Sequence, residues 1–178
     1  MKEVEILVEI FEDKDKALEK LGKFDFKGDK KVADLYFDTG SKDTWIRIRA
    51  SGNQAYLAFK KDYFKDGAWL YSDEHETEID NADEAKKILS EIGFKELVCI
   101  NNIKHSFESE KYQIVLEEVE QLGLFLEVEG KQVGDQEDIS AVKSEIQRFI
   151  NKLKIKVSSE LKYGKPELML QKINSTNE

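Results

Sequence analysis

The chain has 178 residues, of which 40% are hydrophobic and 37% charged, with a formal net charge of −9. That length suits one domain with a proper core and is short for two. The acidic balance argues against a nucleic-acid partner, because phosphate backbones demand a basic surface. No apolar run approaches the ~20 residues of a membrane span, and the first residues lack a signal-peptide core. The single Cys99 excludes an internal disulfide and fits a reducing cytoplasm. It reads as a buried small apolar residue.

In chain order, the first strand spans residues 2–11 and contains Glu3-Val4-Glu5-Ile6-Leu7-Val8-Glu9-Ile10. Carboxylates alternate there with aliphatics, the period-two mark of a strand with two environments. A helix follows at 13–22, then strands near 31–38, 45–51 and 54–62. Trp45-Ile46-Arg47-Ile48-Arg49 repeats the alternation with the opposite charge, and Leu57-Ala58-Phe59-Lys60 continues it. A fifth strand near 71–79 carries Glu74-His75-Glu76-Thr77-Glu78 and precedes a helix at 82–92. Asn81 is its expected N-cap and Gly93 its stop. Three more strands follow near 95–108, 111–119 and 123–131, the last bearing Glu127 and Glu129. Gly134-Asp135 then turns the chain into a long helix ending near Leu153, with Val142, Ile146, Phe149 and Ile150 as its buried stripe. Pro166 starts a short final helix, and 174–178 reads as a frayed tail.

The pattern is one α+β domain of eight mostly consecutive strands with three or four helices. Short connections favour antiparallel neighbours, and eight strands can close into a barrel with no exposed edge. With helices outside, the aliphatic face points outward and the charged face inward. Such an interior must be wet, its charges compensated by one another, a ligand or metal ions.

Two kinds of residue could use that interior. Glu3 and Glu5 share a face, as do Glu127 and Glu129. Carboxylates at such spacing place oxygens within reach of one hard cation. For any single Glu-x-Glu a solvated strand face is the commoner outcome. Glu117 alternates with Glu118 and Glu120, so at most one set faces inward, and Glu117 is the choice. Arg47, Arg49, Lys60 and Lys104 are the bases. Guanidinium forks suit phosphate oxygens, and several converging on one point suit a polyphosphate; surface pairing with glutamates is the competing role. His75 and His105 lack zinc spacing, and Trp45, Tyr56, Tyr63, Trp69 and Phe125 read as core or rim.

These residues, taken together and in order, resemble the CYTH superfamily of triphosphate tunnel metalloenzymes, which includes class IV adenylate cyclases, thiamine triphosphatases and tripolyphosphatases. Glu3-Val4-Glu5 resembles the start of its ExExK signature, Asp34-Leu35-Tyr36-Phe37-Asp38-Thr39 its D-x-Y-F-D-T strand, and Ile46-Arg47-Ile48-Arg49 its L-R-I-R. Phe59-Lys60 and Glu76-Thr77-Glu78 resemble its lysine and middle strands. Leu116-Glu117-Glu118-Val119-Glu120-Gln121-Leu122-Gly123, continuing to Leu126-Glu127-Val128-Glu129, is the most specific match; Leu161-Lys162-Tyr163 before Glu167-Leu168 resembles the C-terminal S-Y-x-E-L-L.

The resemblance implies an eight-stranded antiparallel tunnel binding a small-molecule triphosphate. Arg47, Arg49, Lys60 and Lys104 would bind phosphates. Glu3, Glu5, Glu117, Glu127 and Glu129 would hold Mg²⁺ or Mn²⁺, with Glu76 and Glu78 in support. Three bases of the family pattern are absent: Leu7 replaces the signature lysine, Glu74 stands where a base often lies, and Asn102 replaces another. The expected activity is hydrolysis of a triphosphate, with cyclisation of ATP or non-catalytic polyphosphate or nucleotide binding as alternatives. No catalytic residue is assigned, and a cytoplasmic monomer or homodimer is expected.

Overall fold

The computed structural model describes residues 2–134 and 136–176. Asp135, half of the expected Gly134-Asp135 turn, lies outside the described residues, as do Asn177 and Glu178 of the tail. In chain order the elements are β1 (Lys2–Glu3), β2 (Glu5–Glu9), α1 (Lys14–Leu21), β3 (Asp25–Asp38), β4 (Thr44–Ser51), β5 (Gln54–Lys65) and β6 (Ala68–Ile79). There follow α2 (Ala82–Glu91), β7 (Lys95–Glu108), β8 (Tyr112–Val119), β9 (Gly123–Gly130), α3 (Ile139–Leu153) and α4 (Lys165–Thr176).

All nine strands form one antiparallel sheet in the order β1-β6-β5-β4-β3-β7-β8-β9-β2. Its two ends, β1 and β2, are separated in the chain only by Val4. The expected N-terminal strand therefore divides: Glu3 pairs with Ser72 of β6, whereas Glu5 pairs with Glu129 of β9. Val4 keeps its carbonyl engaged by accepting from Gly130 N at 2.9 Å. This switch of partner nearly closes the barrel and turns the expected eight strands into nine. The third element also starts earlier than expected, because residues 25–30 continue the ladder with β7 through an irregularity at Gly28 (φ +116°).

The outer face is the apolar one. On one side Val4, Ile6, Val8, Ile114, Leu116, Leu126 and Val128 pack against Ala17 and Leu21 of α1 and Ile146, Ile150 and Leu153 of α3. On another, Phe37 and Ile48 pack against Leu89 of α2. Each fully buried aliphatic side chain contributes roughly 1.5–3 kcal/mol. The caps are side-chain acceptors: Asp13 opens α1, Asn81 opens α2 by accepting from Glu84 N at 3.1 Å, and Asp138 opens α3. Cys99 is exposed rather than buried. Strand alternation sends its neighbours Val98 and Ile100 inward, which leaves position 99 on the outer face. No helix among the described residues is long and apolar enough to cross a membrane.

Candidate functional site

The inward face lines a cavity of about 340 Å³. Strand register decides who meets there. Across β6, β5 and β4, Glu74, Lys60 and Trp45 lie in one row, and Glu76, Ala58 and Arg47 in the next. Ala58 is buried and small, so the wall stays open between its two charged neighbours. Across β2 and β9, Glu5 faces Glu129 and Leu7 faces Glu127. Among the described residues, eight carboxylates and six bases line the space.

Arg47, Arg49, Lys60 and Lys104 are already engaged. Arg47 Nη2 donates to Glu74 Oε1 at 2.8 Å and Glu76 Oε2 at 2.9 Å, but its Nε is buried with no partner. Arg49 grips Asp34 with two bonds of 2.7 and 2.8 Å. Burial works against the charge of Asp34, yet that fork holds its pKa below the ordinary value. Lys60 Nζ donates to Glu3 at 3.1 Å and Glu5 at 3.0 Å. Lys104 pairs with Glu117 at 3.0 Å, and Glu117, wholly buried, also accepts from Asn102 Nδ2 at 3.2 Å.

The carboxylates fall into two groups. Burial opposes the charge of Glu127, but Lys165 and Lys104 hold its pKa far below the ordinary value. Glu3 and Glu129 go the other way. Burial, exceeding the pull of Lys60 and reinforced by Glu74 and Glu5, pushes Glu3 up to about 7. Burial followed by the crowding of Glu3, Glu5 and Glu127 pushes Glu129 up to about 8. Oxygen donors of this kind suit a hard divalent cation, and crowded carboxylates short of positive charge fit one electrostatically. Among the described residues, no three metal-binding groups already converge as a cage.

The expected residues therefore come together with one exception. Arg47, Arg49, Lys60, Lys104, Glu3, Glu5, Glu127, Glu129 and Glu76 line the cavity, and Glu117 touches it through Lys104. Glu78 is exposed, opposite Tyr56, and lies outside the lining. Glu118 and Glu120 point outward, as the alternation required: Glu118 accepts from His105 and Lys14, and Glu120 from Asn101. His75 is exposed.

Two residues escaped the sequence reading. Asp34 stands in the sequence only as part of a strand motif, yet on β3 it lies directly opposite Arg49 of β4, and an acid facing an arginine across neighbouring strands is the signal for a fork partner. Lys165, at the start of α4, donates to Glu117 Oε1 at 2.8 Å and Glu127 Oε2 at 2.7 Å. Leu7 is the strand partner of that same Glu127. An ammonium missing from position 7 is thus supplied to the neighbouring wall from outside the barrel. The replaced bases also have defined roles: Glu74 is the partner of Arg47 and Lys60, and Asn102 a donor to Glu117. Farther along the interior, Leu7, Tyr36, Ile100 and Phe125 pack on Met169 of α4, making an apolar plug.

The architecture and the motifs have counterparts. A CYTH domain profile matches residues 1–163. A candidate adenylate cyclase of Methanocaldococcus jannaschii is 33% identical over 162 residues, covering 87% of this chain and 91% of that protein. Among solved structures, a Pyrococcus horikoshii protein superposes with a TM-score of 0.82 at 19% identity, covering 93% of this chain and 98% of the other. A Hippeastrum protein, presented as a candidate adenylyl cyclase with a dominant triphosphatase activity, reaches 0.67 at 19% identity, with 96% of each chain covered. At such identities the two structures speak for the fold alone. The profile match and the 33% identical relative carry the assignment: this chain belongs to the CYTH domain family.

Proposed function

We propose that the protein hydrolyses a triphosphate inside the tunnel with the help of Mg²⁺ or Mn²⁺. The observation that carries this reading is Arg47 Nε, a buried cationic N–H without a partner in a cavity ringed by other bases. A buried donor left unmade costs about 1–3 kcal/mol, and a phosphate oxygen is the acceptor that its fork geometry suits. Arg47, Arg49, Lys60 and Lys104 bind phosphate oxygens: Lys60 exchanges a carboxylate partner for the ligand, while Arg47, Arg49 and Lys104 offer N–H groups beyond those their carboxylates hold. Glu3, Glu5, Glu127 and Glu129 hold the cation, with Glu117 behind them. When bound, the divalent ion supplies charge neutralisation and an activated water for in-line attack. Asp34 fixes the Arg49 fork, while Glu74 and Glu76 aim Arg47. The apolar plug keeps bulk water out of one end.

Cyclisation of ATP is the second reading. Trp69 and Phe64 line the same cavity and offer a ring surface beside the phosphate grip, and the 33% identical relative bears a cyclase name. Hydrolysis comes first because water needs no positioned ribose. The single exposed thiol is consistent with a reducing cytoplasm.

The deciding experiment incubates pure protein with tripolyphosphate, ATP or thiamine triphosphate, each with Mg²⁺ or Mn²⁺, and separates the products. Orthophosphate release supports the proposal. Cyclic AMP with pyrophosphate replaces it with the second reading. Saturable binding without any product would make the tunnel a non-catalytic polyphosphate or nucleotide sensor.

A further inference from the structure

Lys165 belongs to a helix outside the barrel, yet its ammonium ends within the carboxylate wall, on Glu117 and Glu127. The helix that delivers it is pinned independently. Met169, one turn on, is 4% exposed inside the apolar plug. Pro166 sits in the first turn, where its missing N–H costs nothing. The lysine is therefore a flexible four-carbon arm on a fixed base, able to move its charge without unseating α4.

Its position has a consequence for metal. Glu117 is wholly buried, where a carboxylate is costly without polar partners. Lys104 and Lys165 supply such partners, and Lys165 also occupies an oxygen of Glu127. A divalent ion at Glu127 would meet the repulsion of an ammonium that already stands 2.7 Å from its Oε2, which weakens metal binding there. We propose that Lys165 is a built-in cation that occupies the Glu117–Glu127 pair in the ligand-free tunnel and keeps divalent metal off Glu127 until a polyphosphate draws the ammonium away. This rests on the reading of the tunnel as a triphosphate site. Anion and metal then bind with positive coupling, since each favours the state in which the lysine has turned from the carboxylates. The arrangement prevents idle loading with metal and makes full loading conditional on substrate.

The test uses the full chain and Mn²⁺ alone, with bound ion read from the loss of the free Mn²⁺ paramagnetic resonance signal. Lys165→Met and Lys165→Gln are compared with the native chain, each checked for fold by circular dichroism. Lys165→Gln retains N–H donors for both carboxylates and carries the test if the methionine variant fails to fold. Both variants bind Mn²⁺ more tightly than the native chain, by roughly tenfold, in the range of ordinary coupling energies. The gain disappears when Lys165→Gln is combined with Glu127→Gln. Equal Mn²⁺ affinity in the native chain and folded Lys165→Gln overturns the proposal, as does a gain that survives loss of Glu127. Failure of the underlying reading shows separately, as absence of tripolyphosphate binding by the native chain at saturating Mg²⁺.

Discussion

The two faces of one strand behave as different materials. On β9, Leu126 and Val128 point outward into a dry core shared with α3, while Glu127 and Glu129 point inward among charges. The outer face is redundant: many aliphatic contacts, none specific to a ligand. The inner face is a set of ion pairs whose attraction is largely cancelled by desolvation, so it adds little to stability and retains the capacity to exchange partners. Stability therefore resides outside the barrel and ligand chemistry inside, one residue apart in sequence.

The largest effect is expected on the outer face. Leu126→Ala removes a fully buried side chain and is expected to lower unfolding free energy by about 2–5 kcal/mol. Denaturant titration measures this, with ligand affinity of the remaining folded protein unchanged. Arg47→Lys on the inside should do the reverse. It keeps the charge but loses the idle Nε and the fork, which weakens tripolyphosphate binding by about 1.5–3 kcal/mol. Calorimetry reads that loss, and the melting temperature should stay close to that of the native chain.

Glu129→Gln sharpens the contrast further. Removing one crowded carboxylate relieves its neighbours, so the metal-free melting temperature at about pH 8 rises while Mn²⁺ affinity falls by roughly tenfold, equivalent to about 1.4 kcal/mol. A pH series gives the smallest effect. Glu3 and Glu129 hold their protons to about 7 and about 8 in the fold, above the ordinary carboxylate value. The folded state therefore binds more protons than the unfolded chain between those limits, and stability declines as pH rises through them. Melting of the metal-free chain should fall from about pH 5 to about pH 8. Saturating Mn²⁺ or Glu129→Gln should flatten the slope, whereas a slope unaltered by both would mean that these carboxylates are not the cause.

What the sequence made legible follows the same division. Period-two alternation identifies a strand and its two faces, so Arg47 could be grouped with Arg49, Glu127 with Glu129, and Glu117 separated from Glu118 and Glu120; that these faces point inward follows from closing the barrel with helices outside. Register between strands is not written in that period. Nothing in Glu3-Val4-Glu5 shows that the chain changes partner at Val4, because the alternation continues unbroken across the switch. The first half of β3 was hidden by Gly28 and a run of charges that break the alternation. Glu78 continues the inward row of Glu74 and Glu76 but lies beyond the cavity, since a strand can outrun the space it lines. Lys165 was hidden for a different reason. Its role depends on where a helix docks, and a lysine in the first turn of an otherwise ordinary helix carries no periodic mark of burial.

Every role given to the inner face requires the tunnel to be a triphosphate site. Isothermal calorimetry of tripolyphosphate against the full chain at millimolar Mg²⁺ addresses that most directly, repeated with Arg47→Glu, which reverses the charge of the idle donor. Saturable binding at one site per chain, abolished by the reversal in a folded variant, is the predicted result. No saturable heat from the folded native chain, or equal binding by Arg47→Glu, would contradict it.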